Sequence, residues 1–345
     1  MMLFRFDTSS ASRLHVRQHH KMISNTKDTS LRPAPYDSLL DEETWAFVDK
    51  SVAFYPENAT SLDYQGQREV YDALCKAFDA GRPSGVSVRD YSLPGPDLPI
   101  SVREYRPASG TPEATVLYLH GGGFILGGLE SHDSICAEIC DRTGYEVVAV
   151  DYRLAPEHLH PAQFEDSLAA FRFLARDRGH PVILAGDSAG GNLAAAVSWA
   201  TRGEAHVPAG QLLIYPALGA DTSRGTFVTH MNAPMLTTAD MLYYDELRSG
   251  GSSPTGDPRF TPLAATDFTG MPPTLVFTAE CDPLAGDGPD YCSRLTTAGG
   301  KAACFEEVGL VHGYLRARHS VGRARDSFDR MVSGFKALGA GHWPY

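Results

Sequence analysis

The chain lacks several features that would each have named a class of protein. No apolar run reaches the 18 or so residues that a membrane-spanning helix needs, so no such helix is expected. The six cysteines, at 75, 136, 140, 281, 292 and 304, form no C-x-x-C pair, so a zinc ribbon or a redox dithiol has no support. Buried free thiols in a reducing, cytoplasmic setting are the expectation. Basic residues are few: 30 Lys and Arg stand against 42 Asp and Glu, a net charge of -12. An acidic chain with no dense Lys/Arg run repels phosphate backbones, which argues against a nucleic-acid partner. The exception is the N-terminus, where Arg5, Arg13, Arg17 and Lys21 have Asp7 as the one acid before Lys27. That stretch has no apolar core of a secretory signal and reads as a flexible tail over residues 1–30.

What is present is a regular alternation. Residues 31–84 carry apolar side chains at helical spacing over Asp41–Ala53 and Gln67–Phe78. Val86–Tyr91 and Ile100–Tyr105 alternate around Pro94-Gly95-Pro96, as a hairpin does. Short apolar runs then recur at Thr115–Leu119, Glu146–Val150, Val182–Ala185, Leu212–Tyr215, Thr274–Thr278 and Cys304–Val308, with helical stretches between them. This predicts an α/β fold, a mostly parallel sheet flanked by helices, over residues 85–345. Ser327–Leu338 is expected to close it as a helix, with His319 on a helix just before. Residues of about 219–268 exceed a plain crossover. They read as an insertion, with a helix at Thr238–Leu247, that caps the carboxyl end of the sheet together with residues 31–84.

Two glycine-flanked turns carry the chemistry. Gly186-Asp187-Ser188-Ala189-Gly190 stands between a predicted strand and a small-residue helix, the context of a nucleophile elbow. A serine hydroxyl needs a base to take its proton. In this fold the base is a histidine late in the chain, preceded by an orienting acid. His312 follows the last strand, whereas His206, His230, His319 and His342 fall in a turn, the insertion, a solvated face and the terminus. Glu280, Asp282, Asp287 and Asp290 compete as the acid; Asp282, just past a strand end, is the best placed. The amide of Ala189 and those of Gly122 and Gly123 are the candidate oxyanion donors. A dinucleotide site fails because Leu126 stands where G-x-G-x-x-G needs its third glycine, and no Gly-Lys-Ser/Thr is present. His120 has no second ligand at helical spacing, so no metal is expected.

Five motifs in order carry a family resemblance: His120-Gly-Gly-Gly-Phe124, Asp151-Tyr-Arg-Leu-Ala-Pro-Glu157, Gly186-Asp-Ser-Ala-Gly-Gly-Asn192, Asp282-Pro-Leu284 and His312-Gly313. From about Gly85 to Leu338 the chain resembles the hormone-sensitive-lipase-like family of α/β-hydrolases, of the bacterial carboxylesterase type. The resemblance implies Ser188, Asp282 and His312 as a triad, with Gly122, Gly123 and Ala189 as oxyanion hole. Asp151, Arg153 and Glu157 would then be supports beneath the glycine loop. It implies a short-chain, small-molecule ester substrate and no cofactor, and it leaves a homodimer along the last sheet edge open. Two rival readings remain at this point. An amidase or acyltransferase would use the same triad, and a non-catalytic ligand receptor would have kept the fold without the histidine.

Overall fold

The computed structural model describes residues 32–56 and 62–345. The expected tail over 1–30 lies outside the described residues. Eight strands form one sheet: β1 Val86–Leu93, β2 Ile100–Pro107, β3 Thr115–Leu119, β4 Glu146–Asp151, β5 Val182–Asp187, β6 Gly210–Ile214, β7 Thr274–Cys281 and β8 Ala302–Val311. Their order is β1-β2-β4-β3-β5-β6-β7-β8. β1 and β2 pair antiparallel, as does β2 with β4, and every later pairing is parallel. The central strands are apolar throughout because both of their faces are covered. In β3, Val116 and Tyr118 join the core on one side of the sheet, and Leu117 and Leu119 the core on the other.

Helices Asp133–Thr143 and Gly322–Gly339 cover the first face. Helices Ala162–Asp177, Ala189–Ala200 and Asp287–Thr297 cover the second. Helix Ala189–Ala200 is made of small residues, and Ala189 through Ser198 are all buried. Large side chains there would hold the helix away from the strand that leads into it.

Two N-terminal helices, Glu42–Val52 and Tyr64–Ala77, are each started by an aspartate cap: Asp41 accepts from the Thr44 amide and Asp63 from the Gly66 amide. The insertion helix Thr238–Ser249 begins with a full capping box between Thr237 and Asp240. Some expectations shift. The closing helix starts at Gly322, not Ser327, because its first turn is polar and only Ala324 marks the buried side. His319 is not helical: it follows the 3-10 turn Tyr314–Ala317, and its Nε2 lies 2.9 Å from Glu138 Oε2. No helix of the described residues is long and apolar enough to cross a membrane.

Candidate active site

The turn between β5 and the next helix is as tight as a backbone allows. A Cβ on Gly186 would stand 2.6 Å from the Leu119 carbonyl, and one on Gly190 would collide with that same oxygen. Only glycine fits at 186 and at 190, two residues before and after Ser188. Ser188 itself takes φ 53°, ψ -116°, a left-handed conformation that an L side chain rarely adopts. Its amide donates to Ile214 O at 2.8 Å, and its carbonyl accepts from Asn192 and Ala217. The Asn192 side-chain amide donates in turn to Ala217 O and Phe260 O. The turn is thus pinned by backbone bonds, and Ser188 Oγ is presented at the sheet end.

β7 and β8 deliver the other two groups. Their register shifts between Ala279 and Cys281, so Cys281 pairs with Val311 and the next residues, Asp282 and His312, meet. His312 Nδ1 lies 2.7 Å from Asp282 Oδ2, and His312 Nε2 lies 2.9 Å from Ser188 Oγ. With its proton on Nδ1, the imidazole donates to the carboxylate and leaves Nε2 to accept the serine hydroxyl. Asp282 is fully buried, and its other oxygen accepts from the Leu284 amide.

The competing acids are employed elsewhere. Glu280 accepts from the Gly309 amide, Asp290 pairs with Arg294, and Asp287 accepts from the Leu218 and Gly219 amides. Burial pushes the Asp287 carboxyl up to about 7 despite those two bonds. The competing histidines are also elsewhere. His230 lies by Tyr36 Oη and His319 by Glu138.

The glycine loop is held from below by Asp187, the residue before Ser188. Its carboxylate accepts from the Gly121 amide and the Tyr118 hydroxyl, each at 2.9 Å, and stands 3.1 Å from His132 Nε2. Burial alone would raise its pKa, but His132, Arg316 and Tyr118 hold it well below the usual carboxylate range. His120 packs flat on Tyr152 at 4.3 Å, and burial lowers its pKa to about 4, so it stays neutral. Gly122 and Gly123 take φ of +122° and +61°. Among the described residues the amides of Gly122, Gly123 and Ala189 donate to no other group. All three residues line one cavity with Ser188 and His312. The arrangement can deprotonate a hydroxyl and receive an oxyanion beside it.

The expected supports beneath the loop divide. Asp151 approaches Gly128, where a Cβ would stand 3.2 Å from its Oδ1. Glu157 receives both Nη groups of Arg68, whose Nε also donates to Ile125 O; this fastens helix Tyr64–Ala77 to the loop. Arg153 instead pairs with Asp166 and Asp97, away from the loop. Asp187 and His132 escaped the sequence reading; the one signal was a carboxylate inside the serine motif itself.

Comparison with known proteins bears on the fold and the family. The profile of a family described as having the alpha/beta hydrolase fold matches residues 116–316. The carboxylic ester hydrolase LipN of Mycobacterium tuberculosis is 33% identical over 293 residues, which cover 81% of this chain and 77% of that one. The ethyl acetate hydrolase of Pseudomonas putida is 31% identical over 295 residues, 81% of this chain and 92% of its own. Among solved structures, an esterase of Pyrobaculum calidifontis superposes with a TM-score of 0.78 at 32% identity, covering 87% of this chain and 99% of that one. With a buried strand–serine–helix turn, a histidine just past the last strand and relatives that match over most of their length, the chain belongs to the α/β-hydrolase family, in its hormone-sensitive-lipase-like branch.

Proposed function

We propose that this protein is a serine carboxylesterase that hydrolyses short-chain acyl esters through an acyl-enzyme. The observation that carries this reading is the unbroken chain Asp282–His312–Ser188, with bonds of 2.7 and 2.9 Å, beside three undirected amides. His312 Nε2 takes the Ser188 proton as Oγ attacks the ester carbonyl. Asp282 keeps the imidazole in the correct tautomer and stabilises its cation. The amides of Gly122, Gly123 and Ala189 receive the tetrahedral oxyanion. His312 then protonates the leaving alkoxide, and water, activated by the same imidazole, releases the acid. The names of the esterase relatives support ester over amide substrates. The described residues within 31–84, together with about 219–268, act as the cap over the site, and the small cavity beneath it, walled by Tyr71, Leu74, Leu236 and Tyr244, favours short acyl chains. Six unpaired cysteines fit a reducing cytoplasmic compartment.

The test is hydrolysis of p-nitrophenyl acetate, butyrate, octanoate and laurate by wild type and Ser188→Ala. Turnover that declines with chain length and drops by roughly a million-fold in the variant is the expected result. Full activity in Ser188→Ala, or none in a well-folded wild type, overturns the reading.

A further inference from the structure

Arg316 is the fourth residue after His312. Gly313, at φ +78°, turns the chain into the 3-10 segment Tyr314–Ala317, and this brings Arg316 back to the cavity that Ser188 and His312 line. There its Nη2 donates to the Tyr71 hydroxyl, and the guanidinium lies 5.0 Å from the centre of the Tyr71 ring. Its Nε is buried with no hydrogen-bond partner, as is the Nε of Arg248, so the lack of a carboxylate together with the place in the cavity is what sets Arg316 apart. Four other inward-facing arginines meet carboxylates: Arg103 with Asp133, Arg153 with Asp166, Arg178 with Glu104, Arg318 with Glu138. Among the described residues no carboxylate pairs with Arg316.

The groups around it do not supply the missing charge. Burial keeps the Tyr71, Tyr215 and Cys75 side chains protonated. The Asp187 carboxylate is near enough to be felt but is already held by Gly121, Tyr118 and His132. Asp245 lines the same cavity, but burial raises its pKa, and the cation that offsets this is Arg248. Arg248 shows what a purely structural buried arginine looks like here. It is sandwiched 3.7 Å from Phe124 and 4.4 Å from Phe260, and it donates to two backbone carbonyls. Arg316 has the Tyr71 hydroxyl and the neutral Cys75 thiol as partners, no carboxylate, and lines the cavity.

A guanidinium withdrawn from water costs free energy unless an anion meets it, and its planar donors match a carboxylate. We infer that the anion comes with the substrate: Arg316 selects esters that carry a second, ionised carboxylate. The inference rests on the esterase reading and names its substrate class. The carboxylate sits on the acyl or on the alcohol part of the ester, and the two are separated by experiment.

The experiment compares kcat/KM within two pairs of esters. Monomethyl adipate against methyl hexanoate places the charge on the acyl side; O-butyryl glycolate against propyl butyrate places it on the alcohol side. Wild type should favour the charged member of one pair by about tenfold or more. Arg316→Met should lower that ratio by a similar factor, Arg316→Lys by less, and added salt should erode it. An unchanged ratio in both pairs overturns the inference. So does an equal loss on both members of a pair, which would make Arg316 a strut for Tyr71. Tyr71→Phe removes the strut partner but keeps the cation, so its ratio should stay within about threefold of wild type. Thermal midpoints of each variant check folding. If wild type turns over no ester at all, the esterase reading has failed, and adipate titrated into the Ser188→Ala protein still tests the anion site. Saturable binding that Arg316→Met abolishes in that background supports the site; no binding overturns it.

Discussion

The floor and the roof of the cavity are built by different means. The floor is the sheet end: Ser188, Ala189 and the glycine loop are fixed by backbone bonds and by one buried carboxylate, Asp187. The roof is helix Thr238–Ser249 with helix Tyr64–Ala77. In Thr238–Ser249 the single fully buried side chain is Arg248, and beyond the Arg68 bonds the roof meets the floor through side-chain surfaces, Tyr71, Leu74 and Tyr244 among them. A Cβ on Gly123 would stand 2.7 Å from the Tyr244 ring, which shows how closely the two halves approach. Hydrogen-bonded backbone has one geometry, whereas a ring surface can slide or be exchanged for another. Changes in the floor should therefore end function or folding, and changes in the roof should redistribute it among substrates.

The strongest test of this contrast within the floor, beyond Ser188 itself, is Asp282→Asn. The imidazole then has no anion at Nδ1 and takes the wrong tautomer; kcat should fall by roughly ten-thousandfold with the thermal midpoint little changed. Next is Gly190→Ala, whose new methyl collides with the Leu119 carbonyl. Urea denaturation should show a loss of roughly 3–5 kcal/mol, or no soluble protein. A variant as stable as wild type would mean the turn can open.

Asp287 gives a smaller and pH-dependent effect. Its carboxyl is held at about 7 by burial, against roughly 3.9 when unfolded. Between those values the folded chain keeps a proton that the unfolded chain has lost. Stability conferred by this site is therefore greatest below pH 4 and declines as pH rises through 7. Asp287→Asn removes that slope. The gap between variant and wild type should widen as pH rises from 4 to 7, by up to about 4 kcal/mol, and stay level above that. Parallel stability curves for the two proteins would show that Asp287 is ionised throughout.

The smallest effect belongs to the roof. Tyr244→Ala should leave the fold intact and shift preference toward longer acyl chains by about threefold to tenfold, read as the octanoate-to-acetate ratio. A collapse of activity on every ester would place Tyr244 with the floor and erase the distinction.

The floor was also the legible half. Strands covered on both faces read as continuous apolar runs, and the two glycine turns announce themselves by spacing. The choice among Glu280, Asp282, Asp287 and Asp290 was not settled by residue type or position, because a register shift between Ala279 and Cys281 decides which carboxylate meets His312. The roof was harder. The helix Tyr64–Ala77 begins three residues before its apolar pattern does, at the Asp63 cap. Arg316 drew no notice in the sequence, since its place depends on Tyr71, far away in the chain, and on a 3-10 turn that no periodicity marks.

The left-handed backbone at Ser188 has a consequence for how this protein can change. Glycine would sit at φ 53° without strain, so Ser188→Gly should melt higher than wild type while losing the hydroxyl. One step toward heat tolerance thus leads straight out of function. A laboratory selection on this chain that rewards survival of heating should therefore also demand turnover, or glycine at 188 passes as an improved protein that does nothing.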